Sequence, residues 1–250
     1  MASTALLNNV DHQDLKVITG YAAAYGDSVN QAAILPTEFV EVQREYPILF
    51  RKDRDGRFQS VALLGFDREE NLFLTGQGWQ ARHVPLLHQR GPFMIGFQNQ
   101  EVDGEECREP VIYIDLADPR VSKTEGQPLF LPHGGNAPYL EHVAKVLRAI
   151  RLGLQFQTRM FEALEAADLI EPAALDIRLD QHTVYQIPDV YSINEDKLTA
   201  LRGEDLERLH RSGSLRLACM VLSSLSNVNR LVDMKSVRQA ASQVAEQGHA

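Results

Sequence analysis

The first part of the chain gathers its apolar residues in short runs, and the second part spaces them by three and four. Pro47-Ile48-Leu49-Phe50 and residues 57–64, 71–75 and 93–97 read as strands of one sheet-forming unit over residues 46–97. Asp55-Gly56 between the first two runs predicts a hairpin turn, because glycine accepts the positive φ such turns require. Gly65, Gly76, Gly78, Gly91 and Gly96 punctuate the remainder, around the single tryptophan, Trp79. Residues 84–90 predict one helical segment closed by Gly91-Pro92. Upstream, residues 1–20 show little periodicity and predict a frayed end. Residues 32–45 predict a strand or turn around Ile34-Leu35-Pro36, then a short helix that Pro47 opposes. Residues 101–109 predict an acidic loop, and residues 111–116 a buried strand.

From Asn136 the period is helical. Leu140, Val143, Leu147, Ile150, Leu154, Phe161 and Leu164 follow steps of three and four, and Val146, Ala149, Gly153, Phe156, Met160 and Ala163 make a second stripe beside them. That broad apolar face predicts one helix over residues 138–167, roughly 45 Å long at about 1.5 Å per residue. Asn136 suits the N-cap and Pro138 the first turn, where a missing N–H costs nothing. Residues 175–179 and 183–187 follow as strands joined at Asp180-Gln181, with Tyr191-Ser192-Ile193 as a third. Short helices are expected over residues 195–201 and 204–210. A last amphipathic helix carries Leu215, Ala218, Val221, Leu222, Leu225, Val228 and Val232, and beyond Ser236 a polar, Ala/Gln-rich helix is expected to fray into a loose tail. The sum is an α+β fold, with a mixed or mainly antiparallel sheet packed with one long central helix and a C-terminal helix. No linker or repeat divides the 250 residues, so a single domain over residues 1–250 is expected.

Composition narrows the class. A hydrophobic share of 44% with 24% charged residues is that of an ordinary globular chain, long enough to bury a core without staples. The net charge of −9, with no local run of Lys and Arg, opposes general affinity for nucleic acid or anionic membranes. Cys107 and Cys219 read as reduced thiols, one in a loop and one in a buried helix. No secretory signal and no apolar stretch of membrane-spanning length is visible. The expectation is a cytoplasmic protein without membrane insertion, with signal-independent secretion left open.

The chemistry-bearing residues concentrate in Trp79-Gln80-Ala81-Arg82-His83, followed by His88 and Arg90. Trp79, Arg82, His83, His88 and Arg90 together suit a small acidic or aromatic ligand, held by stacking and bidentate hydrogen bonds. A plain structural role is the alternative, with Trp79 plugging the core edge and Arg82 and His83 on a solvated turn. His133, Gly134 and Gly135, ahead of the long helix, suit either anion binding or ordinary capping. His83 and His88 are five apart, poor spacing for one helical face, so neither a metal nor a cofactor is predicted. The serines at 212, 214, 223, 224 and 226 lack a nucleophile elbow, and those at 223 and 224 read as small residues allowing close helix packing.

The order Tyr46-Pro47-Ile48-Leu49-Phe50, Leu63-Leu64-Gly65-Phe66, Glu70-Asn71-Leu72-Phe73, Trp79, Val84-Pro85 and Pro92-Phe93 resembles the SapC family of bacterial proteins. The likeness continues through residues 191–198 and Leu222-Ser223-Ser224-Leu225. Family members are named for a surface-layer gene cluster, and others lie near oxygenase-like, halogenase and outer-membrane-receptor genes. The resemblance brings no catalytic residues. It implies a non-enzymatic accessory or interaction protein with a protein partner or small ligand. A small-molecule-binding or enzymatic partner of an oxygenase or halogenase system, and a surface-layer component, are the alternatives. Nothing in the sequence sets an oligomeric state.

Overall fold

The turn at Asp55-Gly56 forms as its sequence requires. Gly56 has a φ of 79°, and the Asp53 carboxylate accepts the N–H groups of Asp55 and Arg57, each at 2.9 Å. The turn joins strands Ile48–Lys52 and Phe58–Leu63 in antiparallel register, Leu49 opposite Val61. A computed structural model of the protein, describing residues 3–102, 105–179 and 183–247, places this hairpin inside a five-stranded sheet. The strand order is Ile170–Arg178, Val184–Ile193, Ile48–Lys52, Phe58–Leu63, Gln31–Ile34, with every pair antiparallel. With the long helix Pro138–Ala166 and the C-terminal helix Asn227–Gln247, the architecture is α+β. The chain forms two units, residues 1–27 with 86–151 and residues 28–85 with 152–250. Each unit is assembled from separate stretches of sequence, so no linker marks the division.

In the second unit, Ile48, Leu49 and Phe50 are completely buried. Phe161 of the long helix meets Phe50 edge-on at 5.0 Å and stacks on Phe58 at 5.7 Å. Burying each such side chain stabilises the fold by about 1.5–3 kcal/mol. Gly153 lets the helix approach closely, since an added Cβ would lie 2.8 Å from the Leu35 Cβ. The helix ends at Ala166 because Asp168 takes a left-handed conformation, φ 51°, which aspartate tolerates better than most residues. The helix Ser214–Ser224 buries Leu217, Ala218, Val221 and Ser224.

In the first unit, strands Phe93–Val102 and Glu105–Asp115 pair along their length, and Thr4–Leu6 adds to the free edge of Glu105–Asp115. Alternation places Phe93, Ile95 and Phe97 on one face with their partners Ile114, Ile112 and Pro110. Phe93 lies 6.1 Å from the Tyr139 ring of the long helix. A small second sheet joins Val121–Ser122, Lys16–Val17 and Gln127–Pro128.

Several expectations are corrected. The supposed acidic loop at 101–109 belongs largely to the paired strands, because backbone pairing such as Gln98 with Glu109 extends the ladder beyond any apolar signal. Residues 93–97 belong to that sheet, and of 71–75 only Leu74–Thr75 pairs, with Gly78–Trp79. The N-terminal stretch carries strands Thr4–Leu6 and Lys16–Val17. Leu154 is exposed although Phe161, two turns further along the same face, is buried. Cys219 is exposed, not buried. The last amphipathic segment is two helices, broken at Leu225-Ser226, and the second continues past Ser236 to Gln247. Its Ala, Gln and Arg content, of high helix propensity, sustains the expected helix there. Asn136 stands one residue outside the expected cap position: Ala137 precedes the helix, its carbonyl accepting the Glu141 N–H at 3.1 Å. The Asp180-Gln181 connection and the Cys107 side chain lie outside the described residues. Among the described residues no helix is long and apolar enough to cross a membrane.

Candidate functional site

The first unit holds a polar cleft of about 220 Å³, lined by Tyr21, His88, Gln89, Arg120, Tyr139 and His142. Each comes from a separate local device. Asp118-Pro119-Arg120 follows the strand Glu105–Asp115, and the Asp118 carboxylate accepts the Arg120 backbone N–H at 2.9 Å. The same carboxylate takes the Arg120 Nε at 2.9 Å and Nη2 at 2.7 Å, a bidentate fork that fixes the guanidinium plane. Nη1 is left on the side of the cleft. Gly91, at φ 55°, lies beside it: an added Cβ would sit 3.7 Å from the Tyr139 hydroxyl and 3.9 Å from Arg120 Nη1. Tyr139 and His142 are three residues apart on the long helix and therefore share a face.

His88 lies on the short helix Leu86–Gln89. Its Nδ1 donates to Asp27 Oδ1 at 3.1 Å, and the other Asp27 oxygen accepts the Ala22 N–H at 2.9 Å. The Asp27 carboxylate thus orients the imidazole and makes Nδ1 its donor. The electrostatics follow from burial and pairing. Burial pushes the Tyr139 hydroxyl up to about 12, against the opposing effect of Arg120, so it stays a neutral donor at physiological pH. Burial also raises Tyr21, helped by the Asp27 charge. Asp118 is pushed up by burial but held below its ordinary value overall by the hydrogen bonds from Arg120. Arg120 is raised in turn by the Asp118 hydrogen bonds. The cleft thus presents fixed donors whose formal charges are largely matched, which suits a small polar or anionic group.

Of the residues singled out from sequence, only His88 lines this cleft. Arg90 belongs to the same unit, its N–H bonded to the Leu86 carbonyl at 3.0 Å, but is not part of the lining. Trp79, Arg82 and His83 belong to the second unit. There Trp79 is in the core, its indole N–H donating to the Tyr46 hydroxyl at 2.9 Å, which donates to the His83 carbonyl at 2.7 Å. His83 Nε2 meets Glu38 Oε2 at 2.7 Å. The Arg82 N–H donates to Glu45 Oε2 at 2.7 Å, while its side chain is exposed. His133, Gly134 and Gly135 form an exposed reverse turn in which the Gly134 N–H donates to the Leu131 carbonyl at 3.1 Å. Among the described residues no three His, Cys, Asp or Glu side chains gather as metal ligands. Sequence reasoning missed Tyr21, Asp27, Asp118, Arg120, Tyr139 and His142. Two signals were present: an Asp two residues before an Arg across a proline, and Tyr139 with His142 at helical spacing.

The SapC family pattern matches residues 7–231, running through both units and every side chain of the cleft. The chain belongs to the SapC family. No curated protein and no solved structure matches it. For this SapC protein the functional reading therefore rests on the cleft and its chemistry.

Proposed function

We propose that this SapC-family chain is a non-enzymatic accessory protein that holds a small organic acid in the cleft of its first unit. The observation that carries the reading is Arg120, clamped by Asp118 with Nη1 toward the cleft beside the neutral Tyr139 hydroxyl. A guanidinium edge and a phenol donor at one point favour a carboxylate. Tyr21 and Tyr139 supply ring faces that suit an aromatic or planar acid. The ligand would then be carried to, or shielded for, a protein partner.

The probe is benzoate, titrated calorimetrically into full-length protein with benzyl alcohol as the uncharged control. Saturable benzoate binding is expected, weakened roughly tenfold or more by Arg120→Gln and by Tyr139→Phe. Equal affinity for benzyl alcohol, no saturable benzoate binding at millimolar concentration, or unchanged affinity in both variants would overturn the reading.

A second reading rests on the Asp27–His88 pair. A carboxylate on Nδ1 that sets an imidazole tautomer is also how a general base is held. In that case the cleft belongs to an enzyme, and His88→Gln would abolish turnover of the bound acid while leaving its affinity within a few-fold.

A further inference from the structure

A second cleft of the first unit, about 140 Å³, lies between the strand pair and the first half of the long helix. Its strand side is apolar, with Ile95 opposite Ile112 and with Pro110 at its end. Its helix side is Ala144, Leu147, Arg148 and Arg151, spaced three, four and seven residues from the first and so on one face. The two arginines adjoin the apolar floor. Neither has a carboxylate within ion-pair distance among the described residues, in a chain whose net charge is −9. Like charges three apart on a helix repel, and Lys145, one turn earlier, adds to them. Arg151 is half-buried, its guanidinium 5.9 Å from the Phe97 ring centroid, and its Nε is buried without a hydrogen-bond partner. Among the described residues, a buried donor without an acceptor and two cations without a carboxylate partner stand beside an aliphatic slot, an arrangement that an anion with an apolar tail would satisfy.

We propose that this cleft binds a straight-chain monocarboxylic acid, its carboxylate on Arg148 and Arg151 and its alkyl chain along Ile95, Ile112 and Ala144. A cleft of about 140 Å³ has room for one alkyl chain along its floor rather than for a two-tailed lipid. A planar guanidinium donates edge-on to a carboxylate, and the Arg151 Nε is a buried donor with no partner among the described residues. The site is independent of the polar cleft around Arg120.

The test uses full-length protein titrated with sodium octanoate, 1-octanol and sodium acetate, followed by calorimetry and by the methyl resonances of Ile95, Ile112 and Leu147. Octanoate is expected to bind saturably and to shift those methyls, with octanol and acetate at least roughly tenfold weaker because each lacks one half of the contact. Arg151→Gln and Arg148→Gln should each weaken octanoate several-fold, Lys123→Gln on an unrelated exposed loop should not, and Ala144→Phe should fill the slot and abolish binding. Circular dichroism checks that each variant is folded, and the methyl shifts of the wild type locate the site whether or not a variant folds. Equal binding of octanol and octanoate, octanoate binding that leaves those methyls unmoved, or affinity unchanged in both arginine variants overturns the proposal.

Discussion

Replacing Ser224 with alanine isolates one buried hydrogen bond between a helix and the central sheet of the second unit. Ser224 has no exposed surface, and its Oγ accepts the Ile48 N–H at 2.8 Å while donating to the Val221 carbonyl at 2.6 Å. Ile48 is also completely buried, so solvent has no ready route to the amide once the hydroxyl is gone. A stranded buried donor costs about 1–3 kcal/mol. Alanine recovers about 0.5 kcal/mol through its higher helix propensity. The expected net loss is about 0.5–2.5 kcal/mol. Ser223→Ala, on the exposed side of the same turn, is the control and should stay within about 0.5 kcal/mol of wild type. Urea denaturation followed by circular dichroism gives the free energies, and amide exchange at Ile48 gives the local readout. Both should move in Ser224→Ala and neither in Ser223→Ala. If the two variants matched in midpoint and in Ile48 exchange, the hydroxyl would contribute nothing and the reasoning would fail.

Leu147 is 2% exposed, so Leu147→Ala should cost about 2–5 kcal/mol, and a loss below about 0.5 kcal/mol in equilibrium denaturation would count against its place in the core. Gly153→Ala gains about 1 kcal/mol of helix propensity, yet its Cβ would approach Leu35 to 2.8 Å, a contact that must displace the helix. It should therefore lower the melting temperature, and a variant more stable than wild type would remove the close approach. Asp118 is pushed up by burial but depressed overall by the Arg120 hydrogen bonds, so its contribution to stability is present above its unfolded value of 3.8 and is lost as pH falls through the lower folded value. Asp118→Asn should flatten the acid limb of thermal stability against pH, and an unchanged limb would show that the fork contributes nothing.

The glycine–aspartate turn, the helix from Pro138 and the strand runs around Ile48 and Val111 were legible because each rests on local physics. A positive φ demands Gly56, and a 3.6-residue period needs only one buried face to show itself. The α+β class follows from those elements. Tertiary structure decided what local pattern cannot carry. Strands Phe58–Leu63 and Phe93–Val102 look alike in sequence but join different sheets, because pairing partners are chosen across the whole chain. Leu154 sits in the apolar stripe but is exposed, since burial depends on what lies opposite the helix at that turn. Trp79 stood out as a rare aromatic among basic residues, and the fold buries it with its N–H bonded to Tyr46. The cleft drew on Tyr21, His88, Arg120 and Tyr139, side chains spread across more than a hundred residues. No spacing rule links positions that far apart, because what brings them together is the packing of loops onto a helix, and that is fixed by the sum of all contacts.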